Sequence, residues 1–253
     1  MPHTLVIIPT YNERENIEPI VSRVLASAPS ADVLIVDDSS PDGTGVIADE
    51  LAARHPSVMV LHRSSKEGLG AAYLEGFGWG LSHGYTTLVQ MDADGSHLPE
   101  QLPSLLAAAT TSDVVLGSRW IPGGSIVNWP WHRRMLSQGG STYSRILLRL
   151  PQRDVTGGFR VFSAIALDRM RLGSVESHGY CFQIDMLLHA VRAGLVVTEV
   201  PITFVERTLG ASKMSSRIVI EAMGRVTMWG LTGQTARRAA AVPPPAAVTS
   251  RQG

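Results

Sequence analysis

Only one cysteine, Cys181, occurs among the 253 residues. No intrachain disulfide can form, a Cys-rich zinc site is excluded, and a reducing compartment is the natural setting. Long apolar runs are missing too. No stretch reaches the ~18 uncharged apolar residues of a membrane span, and Ile218–Leu231 is interrupted by Glu221 and Arg225. The chain runs almost at once into Leu5-Val6-Ile7-Ile8, without the charged, apolar and small-residue regions of a leader, so none is expected. Net charge is also absent, with 22 Lys+Arg against 22 Asp+Glu, which argues against a nucleic-acid partner. The balance conceals an asymmetry. Residues 1–100 carry 5 basic and 14 acidic side chains (net −9), and residues 101–253 carry 17 and 8 (net +9). An acidic site in the first part and an anion site in the second would produce this, as would scattered surface charge. Hydrophobic residues make up 44% and charged residues 17%, enough for one sizeable core.

Short β-branched runs alternate with helical spacings over the first hundred residues. Strands are predicted at Thr4–Ile8, Val33–Val36, Val58–Leu61 and Thr87–Met91, and helices at Glu13–Ala28, Gly45–Arg54 and Leu69–Ser82. A helix at Pro99–Ala109 and a fifth strand at Asp113–Gly117 follow. This order predicts an α/β fold with a doubly wound, mostly parallel sheet. Residues 120–131 (WIPGGSIVNWPW) read as a loop or lid. Beyond them lie predicted helices at His132–Leu150, Gly179–Ala193 and Ile218–Trp229, and a strand at Val196–Phe204. Residues 1–233 are expected to form one domain, and 234–253 a disordered Arg/Ala/Pro-rich tail.

Three segments carry the chemistry. Asp92-Ala93-Asp94 follows an apolar strand, at the edge where open α/β sheets hold ligands. Two carboxylates so close repel unless a cation joins them. Mg²⁺ takes one or two carboxylates and completes its shell with substrate phosphates. A solvated acidic turn is the competing explanation. Asp37-Asp38-Ser39-Ser40-Pro41-Asp42-Gly43-Thr44 follows the second strand. There Asp38 is placed to meet a base or ribose, while Asp42 caps the next helix. Pro9-Thr10-Tyr11-Asn12-Glu13 follows the first strand with neither a G-x-G-x-x-G nor a G-x-x-x-x-G-K-[ST] pattern. Its Tyr11, at a strand end, can stack on a base or pack under one.

In order and spacing these segments resemble family-2 glycosyltransferases of the GT-A fold. In particular they resemble the dolichol- and polyprenol-phosphate mannose synthases, including the polyprenol monophosphomannose synthases of actinobacteria. Lys66-Glu67-Gly68-Leu69-Gly70, Gly117-Ser118-Arg119, Asp154-Val155-Thr156-Gly157-Gly158-Phe159-Arg160, Glu199–Phe204, Arg207 and Lys213 extend the likeness across residues 4–232. Gly95 and Ser96 depart from it, standing where some members carry a bulkier residue and a glutamine.

The resemblance implies inverting transfer of mannose from GDP-mannose to a polyprenyl phosphate. It implies a donor pocket of Pro9, Tyr11, Glu13, Val36 and Asp38, with Asp92, Ala93 and Asp94 on the diphosphate and a Mg²⁺ or Mn²⁺ ion. It further implies that Asp94, Arg119, Arg207 and Lys213 act in catalysis, Arg207 and Lys213 contacting the donor phosphates. For the acceptor phosphate, Arg119 and Arg133 with Ser137 near a helix start form a candidate anion site, against a merely solvated helix start. Transfer of glucose from UDP-glucose and a non-catalytic nucleotide-sugar sensor are the alternatives. Location is expected to be cytoplasmic, peripheral on the cytoplasmic membrane face. Attachment would come through Ile126, Trp129, Trp131 and the Ile218/Ala222/Val226/Trp229 helix face, or through a membrane-embedded acyltransferase-like partner. Packing against the protein is the competing role for both groups.

Overall fold

Every residue of the first strand is buried, and its side chains alternate between two cores. Leu5 and Ile7 face one, Val6 and Ile8 the other, so the sheet must be covered on both sides. The computed structural model describes residues 3–175, 177, 181–206, 216–233, 235 and 236. Strands β1 (Thr4–Thr10), β2 (Ala31–Asp37), β3 (Val58–His62), β4 (Thr87–Gln90) and β5 (Val114–Ser118) alternate with helices α1 (Ile17–Ser27), α2 (Thr44–Arg54), α3 (Leu69–Ser82) and α4 (Leu102–Ala109). The chain continues through β6 (Ser125–Val127), α5 (Trp131–Leu148), β7 (Arg160–Ser163), α6 (Ala164–Met170), α7 (Phe182–Arg192), β8 (Val197–Pro201), β9 (Thr203–Val205) and α8 (Ser216–Leu231).

The main sheet has the order β3-β2-β1-β4-β7-β5-β8. Only β7 runs antiparallel to its neighbours. Its first residue therefore lies at the edge where the parallel strands end, and the 154–159 turn joins the loops after β1, β2, β4 and β5. Helices α1, α2 and α4 cover one face, and α3 and α5–α8 cover the other. Helix α3 approaches the sheet closely. A Cβ on Gly76 would stand 2.7 Å from Ile7 Cγ2, and one on Gly80 2.7 Å from Leu88 Cδ2.

Several expectations need correction. The 120–131 segment is not all loop, since Ser125–Val127 pairs with Thr203–Val205 in a second, two-stranded sheet. The strand expected at Val196–Phe204 splits at Ile202, so that β8 extends the main sheet while β9 serves the small one. Strand β7 was not expected at all. Val226 is buried and Trp229 packs on the core, so these two face the protein. The outward side of α8 carries Met223, Met228 and Leu231. Trp129 likewise packs inward, edge-on to Phe204 at 5.3 Å, whereas Trp131 is 74% exposed. The expected tail lies outside the described residues except for Thr235 and Ala236. Ala236 is buried and donates its amide to the Leu148 carbonyl at 2.9 Å.

Candidate active site

Pro9 and Val36 stand side by side in register and are buried, forming the floor from which the first two loops rise. Both loops turn through left-handed residues, Asn12 at φ 59° and Ser39 at φ 53°. Such a conformation in a non-glycine residue must be held by its surroundings. Here the neighbouring carboxylates hold it. Asp37 accepts from the Thr10 hydroxyl at 2.9 Å and from the Ser40 hydroxyl at 2.6 Å, and so locks the β2 loop to β1.

Asp38 turns the other way, onto Arg63 Nη1 at 2.5 Å. Arg63 also donates to Glu75 at 2.7 Å. Burial raises the Asp38 carboxyl above its ordinary range, and the Arg63 contact only partly opposes this. Asp42 accepts from the amide and hydroxyl of Thr44 and from the Arg14 amide. Burial opposes ionisation there, but these bonds win and hold its pKa below the usual range. The expected capping by Asp42 is seen in the bond it accepts from the Thr44 amide, whereas the described partner of Asp38 is the Arg63 guanidinium. Glu13 accepts from Asn16 Nδ2 at 2.8 Å, and the Lys66 ammonium lies 3.7 Å from the Tyr11 ring centre.

Asp92 and Asp94 follow β4, the strand beside β1 at the reversal of strand order. Tyr73, placed by α3, donates to Asp92 Oδ1 at 2.8 Å. Burial, with Asp92 adding to it, drives the Tyr73 pKa far up, so the phenol keeps its proton. Gly95, at φ 75°, lets the chain double back so that the Ser96 hydroxyl donates to Asp94 Oδ1 at 2.6 Å. His97 is buried, and its Nδ1 accepts the Asp92 amide at 3.0 Å. The proton of the neutral ring therefore sits on Nε2. Burial lowers the His97 pKa against the pull of Asp92 and Asp94.

Among the described residues no group of three or more His, Cys, Asp or Glu side chains is arranged to hold a metal alone. The pair supplies only carboxylate oxygens. That donor set fits a hard divalent cation whose shell is completed by phosphate oxygens and water.

The arginines lie beyond the acid pair. Phe204 is common to both groups, its ring 5.6 Å from His97 and 5.3 Å from the Arg119 guanidinium. Arg119 is clamped by Asp154 through Nε at 2.7 Å and Nη2 at 2.8 Å. Burial opposes ionisation of Asp154, but Arg119 outweighs it and holds the carboxyl below its usual range. Arg133 lies over the Trp129 ring at 4.4 Å and pairs with Glu206. Ser137 is partly buried one turn further along α5. Both predicted acceptor arginines thus carry a carboxylate partner that sequence reasoning missed. Asp154 and Glu206 both lay within segments singled out for the resemblance, Glu206 in Pro201–Arg207, but neither was named as an arginine's partner. His97, Tyr73 and Arg63 were also missed. Arg207 and Lys213 lie outside the described residues.

Residues 5–171 match the model of the family described as Glycosyl transferase family 2. The chain is 55% identical over 236 residues to polyprenol monophosphomannose synthase of Mycolicibacterium smegmatis, covering 92% of this chain and 89% of that one. It is 56% identical over 230 residues to undecaprenyl-phosphate mannosyltransferase of Micrococcus luteus, covering 91% and 95%. Among solved structures it resembles glucosyl-3-phosphoglycerate synthase of Mycobacterium tuberculosis in complex with Mn²⁺, UDP-glucose and glycerol 3-phosphate. There the TM-score is 0.64 at 17% identity, covering 94% of this chain and 82% of that one. It also resembles a mannosyltransferase of Pyrobaculum calidifontis in complex with GDP-Man and Mn²⁺, with TM-score 0.55 at 17% identity, covering 92% and 73%. At that identity the two structures establish a shared fold.

Proposed function

The chain belongs to glycosyl transferase family 2, and from that premise we propose that it moves mannose from GDP-mannose to a polyprenyl monophosphate, with inversion, releasing GDP. The observation that carries this is 55–56% identity, over at least 89% of either chain, to two enzymes named for polyprenol or undecaprenyl phosphate and mannose. The donor's nucleoside would lie on Pro9, Val36, Tyr11 and Glu13 with Asp38 at its rim. The diphosphate would reach Asp92, Ala93 and Asp94. A divalent cation there, Mg²⁺ or Mn²⁺, would neutralise charge developing on the leaving diphosphate. Asp92 and Asp94, which accept from the Tyr73 and Ser96 hydroxyls, would supply its protein oxygens. Arg207 and Lys213 would add cations to the same leaving group.

The acceptor is itself an anion. A phosphate monoester with a second pKa of ~6 is largely ionised at neutral pH, so no strong general base is required. Arg119 and Arg133, with Ser137, would receive that phosphate. Asp154 and Glu206 hold both guanidinium groups in place beforehand and temper their charge. An apolar polyprenyl tail stays in the bilayer, so the site must come to the membrane surface. Among the described residues no helix is long and apolar enough to cross a membrane. Peripheral attachment on the cytoplasmic face would use Trp131 with the outward side chains of α8, or a membrane-embedded acyltransferase-like partner.

Incubating the protein with a polyprenyl phosphate and either GDP-mannose or UDP-glucose, then measuring sugar in the lipid fraction, tests the assignment. Mannosyl lipid is expected. Glucosyl lipid in preference to it, or no lipid product from either, overturns the assignment.

A further inference from the structure

Gly158 brings the backbone into close approach beside the acid pair. A Cβ there would lie 3.3 Å from His97 Cε1, 3.5 Å from Asp92 Oδ2 and 3.6 Å from Gln183 Nε2. A ring carbon of His97, a carboxylate oxygen and an amide nitrogen therefore surround one missing side chain, and Gly158 itself is only partly covered. Gln183 is 8% exposed, and its Oε1 is buried with no hydrogen-bond partner. An orphaned buried acceptor is destabilising, so a carboxamide kept there for packing alone would be a liability. It is also held firmly. Arg160 Nη1 donates to the Gln183 carbonyl at 2.7 Å, and the preceding Phe182 stacks on Tyr73 at 6.1 Å.

We propose that Gln183, with the His97 imidazole and Asp92 Oδ2 around Gly158, forms the subsite that grips hydroxyl groups of the transferred hexose. The inference rests on the mannosyl-transfer assignment and deepens it by naming the residues that read the sugar. A sugar hydroxyl donates once and accepts twice, and the three groups match that need. Gln183 Oε1 accepts and Nε2 donates, His97, whose Nδ1 accepts the Asp92 amide, donates through Nε2–H, and the Asp92 carboxylate accepts. A sugar hydroxyl with the matching bonding pattern would supply the partner that Gln183 Oε1 lacks. A site built to bond a hydroxyl also discriminates strongly against analogues that misplace it. Gln183 is accordingly assigned as a specificity-determining residue, distinct from the groups that hold the nucleotide.

The test compares GDP with GDP-mannose by calorimetry on the full chain in the presence of Mn²⁺, for the wild type, Gln183→Leu and Gly158→Ala. Gln183→Leu removes both amide atoms at similar size. Gly158→Ala puts a methyl group into the space while leaving Gln183 intact, so it decides the matter if the first variant does not fold. Each is expected to weaken GDP-mannose at least tenfold while changing GDP by less than twofold, because GDP carries no sugar. Unchanged GDP-mannose affinity, or parallel weakening of both ligands, overturns the subsite. Should the wild type bind another nucleotide sugar and not GDP-mannose, the mannosyl assignment fails. The same comparison with that donor against its own nucleoside diphosphate then still judges Gln183.

Discussion

Asp154→Ala removes the partner of a buried guanidinium. The ion-paired side chains of Arg119 and Asp154 are 6% and 0% exposed. Asp154 accepts two bonds from the guanidinium and one each from the backbone amides of Arg119 and Gly157. Breaking such a pair from one side costs about 3–5 kcal/mol, because a charge is left buried without compensation. With an unfolding entropy near 2.1 cal/mol/K per residue, a chain of this length loses about 2 °C in Tm per kcal/mol. The expected drop is therefore about 8 °C, read by thermal melting followed in the far ultraviolet.

Asp154→Leu combined with Arg119→Met removes both charges and should lose less than Asp154→Ala alone. The carboxyl's pKa is lowered in the folded state. Its stabilisation is thus fully present above the unfolded value of ~3.9 and disappears as pH falls through the folded one. The gap between wild type and variant should close below about pH 4. A single-variant loss under ~2 °C, or a double variant as unstable as the two singles added, would refute the argument that the pair is a buried, mutually dependent unit.

Asp94→Ala should reduce turnover by about 10²-fold or more with Tm unchanged, and excess EDTA should do the same to the wild type; full activity in EDTA would remove the metal from the mechanism. Gly76→Ala drives a Cβ to 2.7 Å from Ile7 Cγ2 and should cost about 1–3 kcal/mol in a urea titration, whereas a neutral result would mean that α3 shifts freely. Vesicles containing anionic lipid should float the protein at low salt and release it at high salt. Trp131→Ser should weaken this flotation, and absence of flotation under both conditions would leave recruitment by a membrane partner as the route to the acceptor.

The loops proposed to hold the donor were legible because their physics is local. Strands buried on both faces read as apolar runs, and the loop acids directly follow them, as Asp38 follows β2 and Asp92 follows β4. The part proposed to receive the acceptor was only partly legible. Arg160-Val161-Phe162-Ser163 is a four-residue strand that begins with a buried arginine, so neither its length nor its composition marks it. The cations at 119 and 133 could be named, but their partners Asp154 and Glu206 lie 35 and 73 residues away, and pairing at such range leaves no spacing to detect. The apolar spacing of α8 correctly marked a buried face, since Val226 is 1% exposed. What periodicity cannot supply is whether such a face meets lipid or protein.

Arg160 has a consequence for how the site comes together. Its guanidinium is wholly buried and is held by three backbone carbonyls, those of Val155, Gly157 and Gln183. Burial pulls its pKa down to about 9, still above neutrality, so the charge persists. Two of the carbonyls belong to the 154–159 turn and the third to α7. If α7 lifted away, the cation would keep only the turn's two acceptors among the described residues, where no carboxylate makes a direct bond to it. Local opening of α7 is thereby penalised and tied to loss of the turn. The two segments should exchange their amide protons as a single cooperative unit, although more than twenty residues separate them along the chain.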